Sequence, residues 1–331
     1  MTTGPRRRAA SLPPCPERAG PAGLWRARAR FSAARALLAA CAARALLAAC
    51  AATALLAACA VPVPPADWET RLRGDAIVLL GEVHDNERHH RLRLQVLERA
   101  IAAGWRPAIA MEQFDRERQA EIDRARAERP LDADHLIAQA SPPPARAGAG
   151  WNWPAYRPYV ELALRHGLPL VAANLSNSDT TRIVRNGYAA VFDPAAQAAL
   201  GLDRPVPADW QATHERQIDA GHCGALPASV WPRMARAQLA RDPVMAQVLR
   251  QHGGQGIVLL AGDGHVRRDI GVPRWLTAEA SRVFVVGLLE RDDGPLAPGL
   301  FDAVVHTEPA DRADPCIAFK AGRAASRPAG S

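Results

Sequence analysis

Several signatures that would settle a function on sight are missing from this sequence. There is no GxSxG elbow to present a serine nucleophile. No HExxH pair offers a metal two imidazoles from one helical turn. GDGH at 262–265 is too short for a phosphate loop and lacks the Lys-Ser/Thr that closes one. No basic patch with interleaved aromatics occurs in the body, which argues against nucleic acid as a partner. The formal net charge of +7 does not reverse that argument. Residues 1–59 hold nine arginines and a single acid, Glu17, so the remainder of the chain is close to neutral. Internal repeats are confined to the same leader.

What is present begins with that leader. Arg26, Arg28 and Arg30 precede an Ala/Leu-rich run that reaches Cys59, and ALLAAC recurs at 36–41, 45–50 and 54–59. A positive segment followed by an apolar one reads as an export signal. Leu56-Ala57-Ala58-Cys59 resembles a bacterial lipobox, which implies cleavage before Cys59 and lipidation of its sulfur. Ala60 in place of Asp implies sorting to the outer membrane, facing the periplasm. The alternative, a membrane-spanning helix, carries Arg44 in mid-stretch at a cost of ~3 kcal/mol. Residues 1–25 are expected to be disordered or to lie upstream of the true start. VPVPPAD reads as part of an extended tether over 60–75.

The chain is long enough, at 331 residues with 48% hydrophobic content, to bury a substantial core. Of six cysteines, only Cys223 and Cys316 fall in the body. An oxidising compartment permits a disulfide between them, and a pair of buried thiols is the equal alternative.

From Asp75 onward, short apolar runs alternate with helical patterns. Strands are expected at 76–82, 107–113, 168–175, 256–265, 282–290 and 301–307. Helices are expected at 87–103, 115–129, 210–220 and 229–251. This alternation predicts an α/β fold, a mostly parallel sheet with helices on both faces and a large helical insertion, at about 176–255, before the fourth strand. The domain is expected over 76–310 and a tail over 311–331. SPPPARAGAG at 141–150 reads as a loop or lid.

Polar groups follow each strand. The first ends in Glu82 and His84, the second in Glu112 and Gln113, the third in Asn174, the fourth in Asp263 and His265. Open parallel sheets bind ligands at the carboxyl ends of their strands. If these strands are neighbours, Glu82, His84, Glu112 and His265 converge as a divalent-metal site or as an acid/base pair. Asp85 and Asn86 suit a helix cap. His89 and His90, on the first helical turn, are expected to face water.

GEVHDN, AMEQFDRE, WNWPAYRPYVELA, LVAANL, GHCGALP and AGDGHVRRDIGVP occur in that order between about 76 and 290. Together they resemble the ChaN-like haem-binding lipoproteins, within a superfamily that includes the Tiki metalloproteases and the erythromycin esterases. In the ChaN branch the resemblance implies reversible haem binding for iron uptake, two haems lying face to face in a homodimer and transfer to unidentified transport machinery. It implies a tyrosine on iron, Tyr156 with Tyr159 as fallback, supported by a histidine of the second subunit, for which His222 is the candidate. The absence of CxxCH excludes covalent haem attachment. In the other branches Glu82, His84, Glu112 and His265 imply metal-dependent hydrolysis.

Overall fold

The structure, a computed structural model, describes residues 68–142, 150–291, 294, 297–314, 316 and 317. The leader, Cys59, the tether up to residue 67, residues 143–149 of the expected lid and the chain beyond 317 lie outside the described residues.

Six strands form one sheet: β1 (Ile77–Leu80), β2 (Ala108–Asp115), β3 (Leu170–Asn174), β4 (Ile257–Leu260), β5 (Val283–Glu290) and β6 (Ala303–Thr307). Their order is β3-β2-β4-β1-β5-β6, and every pairing is parallel. Side chains alternate between the two faces of a strand, so a strand covered on both sides must be apolar throughout. All four residues of β1 are buried accordingly. Val78 and Leu80 join Ile109 and Met111 in one core. Ile77 and Leu79 join Ile257 and Leu259 in the other.

Helices cover both faces. The first core is closed by α1 (Glu87–Ala102), α2 (Gln119–Glu128), α3 (Ala133–Ala140) and α4 (Trp153–Arg165). Between β3 and β4 come α5 (Asn177–Asn186), α6 (Pro194–Leu200), α7 (Ala208–Gly221) and α8 (Trp231–His252). Met245, Val248 and Leu249 of α8 seal the second core. A one-turn helix, α9 (Asp263–Val266), follows β4.

Some boundaries differ from the sequence reading. Asp115 ends β2, and the charged helix begins only at Gln119 after a 3-10 turn over Arg116–Arg118. The fourth strand stops at Leu260, because Gly262 opens the short helix α9. Trp68 and Leu72 are already in the core, so the folded body starts inside the stretch expected to be tether. Asn86 caps α1, its side chain accepting from the amides of Arg88 and His89. Cys223 and Cys316 are joined as a disulfide.

The chain leaves β1 toward β2 on one side and leaves β4 toward β5 on the other. β1 and β4 are adjacent, so their carboxyl ends flank a topological switch point, where such sheets open a crevice.

Candidate functional site

The crevice is lined as the strand-end pattern predicts. Glu82 and His84 sit two residues apart after β1, and His84 Nδ1 lies 2.9 Å from Glu82 Oε1. A Cβ on Gly81 would collide with Asp263, and one on Gly262 would come within 2.9 Å of His84 Nε2. These two glycines keep the β1 and β4 turns close together and leave room for the imidazole.

Glu82 is buried and fully engaged. Arg93 of α1, itself buried, pairs with its Oε2. The Tyr156 hydroxyl donates to Oε1 at 2.7 Å, and His90 Nδ1 lies 3.2 Å from Oε2. Burial alone would raise this carboxyl, but the Arg93 guanidinium and the imidazoles of His84 and His90 overrule it and hold it at about 2. Glu82 is therefore an anion that orients its neighbours.

Two imidazoles flank Glu112. Since a carboxylate only accepts, the contact with Glu82 puts a His84 proton on Nδ1 and leaves Nε2 as the nitrogen that faces Glu112. His84 Nε2 lies 3.9 Å from Glu112 Oε2, and the His84 side chain is 45% exposed. His265 repeats the pattern: its Nδ1 lies 2.6 Å from Asp242 Oδ1, and its Nε2 lies 3.6 Å from Glu112 Oε1. The Gly262 amide donates to Glu112 Oε2 at 2.8 Å. Burial works against a charge on either imidazole, but the facing carboxylates win and both are raised above the usual histidine value. Glu112 is lowered in turn, its burial outweighed by His265 and His84. Carboxylate-held imidazoles with their second nitrogen directed at one point are how proteins present metal ligands and general bases.

The four residues proposed from the sequence are thus gathered on one rim. As a metal set they are incomplete. Glu82 is occupied by Arg93, His84 and Tyr156, and among the described residues no group of three or more His, Cys, Asp or Glu is placed to hold a metal ion.

Tyr156 stands within this cluster, its hydroxyl also 3.3 Å from His84 Nδ1. Tyr156 is 1% exposed, and its hydroxyl is spent on Glu82. Burial and that carboxylate both raise its ionisation far above the usual phenol value. Tyr159 is fully buried, donates to the His90 carbonyl at 2.7 Å and is pushed up by burial to about 12. Neither phenol is open to iron in this arrangement, because each is the donor in a buried bond. The accessible donor on the rim is His84, with Trp151 in edge contact at 5.0 Å between ring centroids. His222 sits at the end of α7, its Nδ1 2.7 Å from the Ile218 carbonyl.

His89 and His90 do not face water; both are buried. His89 Nδ1 accepts from the Val83 amide, and its Nε2 meets Thr307 Oγ1 at 2.9 Å, so burial holds it neutral with a value near 4. His90 Nε2 donates to the His84 carbonyl at 2.8 Å, fixing the loop that carries the rim imidazole. Asn174 accepts from Arg241 and is structural.

Two members of the site escaped the sequence reading. Asp242 lies on α8 between Arg241 and Pro243, on the side that also buries Leu239, Met245 and Ala246, and Arg93 lies between Leu92 and Leu94 on α1. A charged residue on the buried stripe of a helix is the available signal, since such a group must find a partner.

Beside the rim, α1 and α4 leave a cleft of about 270 Å3, lined by Arg91, Leu94, Pro154, Ala155 and Pro158 among others.

A family model described as haem-binding uptake, Tiki superfamily, ChaN, matches residues 68–276. Among solved structures, ChaN of Campylobacter jejuni, reported with cofacial haem binding, is 21% identical over 72% of this chain and 89% of that one, with a TM-score of 0.58. An erythromycin esterase mutant in its open conformation is 12% identical over 70% of this chain and 76% of that one, at a TM-score of 0.38. A type III effector is also 12% identical, over 70% of this chain and 88% of that one, at 0.37. No curated protein matches.

Proposed function

The chain belongs to the ChaN family of haem-binding uptake proteins in the Tiki superfamily, and from that premise we propose that it is a haem carrier whose iron site is the carboxyl rim of the sheet. The observation that carries the reading is His84. Its Nδ1 is fixed by Glu82, its Nε2 faces Glu112 at 3.9 Å, and its side chain is 45% exposed. His84 would hold haem iron through Nε2 once that nitrogen has given up its proton. Haem would bring redox-active iron and a flat apolar face. The protein's part is to hold Nε2 still, to offer Trp151 beside it and to keep Glu82 ionised behind it. Tyr156 serves by locking Glu82. The cationic Arg91 in the α1–α4 cleft suits a propionate.

The same reading makes the loaded protein a homodimer, with His222 presented to the second copy, and tethers it through lipidated Cys59 to the periplasmic face of the outer membrane. The lipobox-like Leu56–Cys59 supports the anchor. The disulfide supports export, because such bonds persist in oxidising compartments. Among the described residues, no helix is long and apolar enough to cross a membrane.

Hemin titration of the purified protein tests this. A Soret shift is expected for the wild type and for Tyr156→Phe, and its loss for His84→Ala. Loss in Tyr156→Phe with retention in His84→Ala returns the iron to the phenol. No shift with any of them removes the haem reading.

A second reading rests on the geometry around Glu112. Two oriented imidazoles facing one carboxylate suit water activation, with or without a metal, in a hydrolase using Glu82, His84, Glu112 and His265. Metal analysis followed by an ester and peptide screen, with His265→Ala as control, checks it. Turnover abolished by that substitution would favour it over carriage.

A further inference from the structure

Three of the helices inserted between β3 and β4 leave a cavity of about 420 Å3 between them. α5 supplies Val184 and Arg185, α7 supplies Ile218, and α8 supplies Met234, Gln238 and Arg241. The wall is apolar in part and charged with one sign. Two arginines line it, and among the described residues no Asp or Glu does. The cavity is separate from the His84 flank of the rim. In the strand order β3-β2-β4-β1, α5 follows β3 whereas His84 follows β1. Two strands lie between, a lateral separation of roughly 14 Å at ~4.8 Å per strand.

Arg241 is held without being neutralised. It donates to the side-chain oxygens of Asn174 at 2.6 Å and Asn177 at 3.3 Å, and both acceptors are neutral amides. Among the described residues no carboxylate oxygen lies within 4.0 Å of it. A guanidinium carries five N–H donors in a fixed fork, so most of the fork is left over. Burial lowers its ionisation below the usual guanidinium value, and the more distant carboxylates of Glu112, Asp115 and Asp242 do not make up the difference. A desolvated charge of this kind is relieved by an anion brought to it. Arg185 is exposed and also lacks an ion pair among the described residues. Helical side chains lean toward the N-terminus, so Arg185 can reach back along α5 toward Asn177, where the Arg241 guanidinium sits. Gln238 adds a buried side-chain oxygen with no hydrogen-bond partner.

We propose that this cavity binds a small organic acid, its carboxylate paired with Arg241 and Arg185 and its apolar body packed against Val184, Ile218 and Met234. The volume and the lining agree with that class of ligand, since small-molecule sites are mostly apolar with a few placed polar groups. The planar fork of an arginine matches the two oxygens of a carboxylate. A hydroxyl or amine on the same ligand would satisfy the Gln238 oxygen.

Titration calorimetry of the full chain without hemin tests this, with octanoate, octanol and inorganic phosphate as probes. Octanoate is expected to saturate at one per chain. Arg241→Gln and Arg185→Gln should each weaken it about tenfold, as for the loss of one charge-assisted contact. Met234→Trp keeps both charges and fills the space, and it should weaken octanoate to a similar extent. Octanol and phosphate should each bind at least about tenfold more weakly than octanoate, since each lacks one half of the recognition. No saturable octanoate binding overturns the proposal. Octanol as tight as octanoate leaves only an apolar cavity, phosphate as tight leaves only an anion site, and either result overturns it. Octanoate affinity unchanged in Arg185→Gln also overturns it. Arg185 is exposed and outside the core, so that variant keeps the test decisive if Arg241→Gln does not fold. No haem is present in these titrations, so their outcome is independent of the haem reading.

Discussion

Each neighbour of Glu82 narrows what it can do. Arg93 neutralises it, Tyr156 and His84 occupy Oε1, and burial excludes water. A carboxyl held at about 2, against the ordinary 4.5, binds its proton more weakly folded than unfolded. Its contribution is fully present above pH 4.5 and is lost as pH falls toward 2, a difference on the order of 3 kcal/mol. Glu82→Gln leaves the buried Arg93 without its counter-charge. Removing one member of a buried pair costs roughly 3–5 kcal/mol. Urea unfolding at pH 7 is expected to show a loss of that size, and the variant's stability should fall less steeply between pH 4.5 and 2 than that of the wild type. A variant within about 1 kcal/mol of wild type would mean that Arg93 is already balanced by other groups, such as the Tyr159 ring it lies over.

At the scale of elements, the site is a product of turns. The β4–α9 turn passes close to His84, and Gly262 is the residue that allows it. Gly262→Ala puts a methyl about where the imidazole nitrogen now approaches to 2.9 Å. The backbone there is extended, with φ of −64°, so alanine meets no conformational penalty. The expected outcome is a loss of hemin affinity of about tenfold with little change in urea midpoint, since the displaced group is a partly exposed side chain and not core. Affinity equal to wild type would show that His84 moves freely and is not the ligand. The elements themselves were legible because β1, β2 and β4 are apolar runs that end in Gly or acid, a pattern that survives without tertiary knowledge. The partners of the site were less so. Asp242 meets His265, and Arg93 meets Glu82, only after the sheet has brought distant segments together. Polar spacing marks strand ends, but it does not say which helix supplies the counter-charge. His89 and His90 show the converse: a first helical turn is normally solvated, and here a loop and β6 cover it.

For the whole molecule, alternation of strand and helix was enough to indicate a parallel sheet covered on both faces, because no other arrangement buries such strands. The order of strands and the tie between Cys316 and Cys223 were not legible, since both depend on long-range packing. The disulfide is the strongest of those long-range ties. It joins residues 93 apart in sequence and encloses β4, β5 and β6 in one covalent loop. Closing such a loop removes denatured-state freedom worth about 4–5 kcal/mol at most, and native strain reduces the net gain. The double variant Cys223→Ser/Cys316→Ser should therefore unfold in urea with about 2–4 kcal/mol less stability than oxidised wild type, and reduced wild type should match it. Where the bond acts can be read by hydrogen exchange. Its stability effect acts through the unfolded chain and is felt by every element equally. If reduction lowers the urea midpoint while native hydrogen exchange changes only from Glu308 onward and around Cys223, the bond acts chiefly on the unfolded chain. If exchange rises across β4 and β5 as well, the loop is holding the sheet itself together.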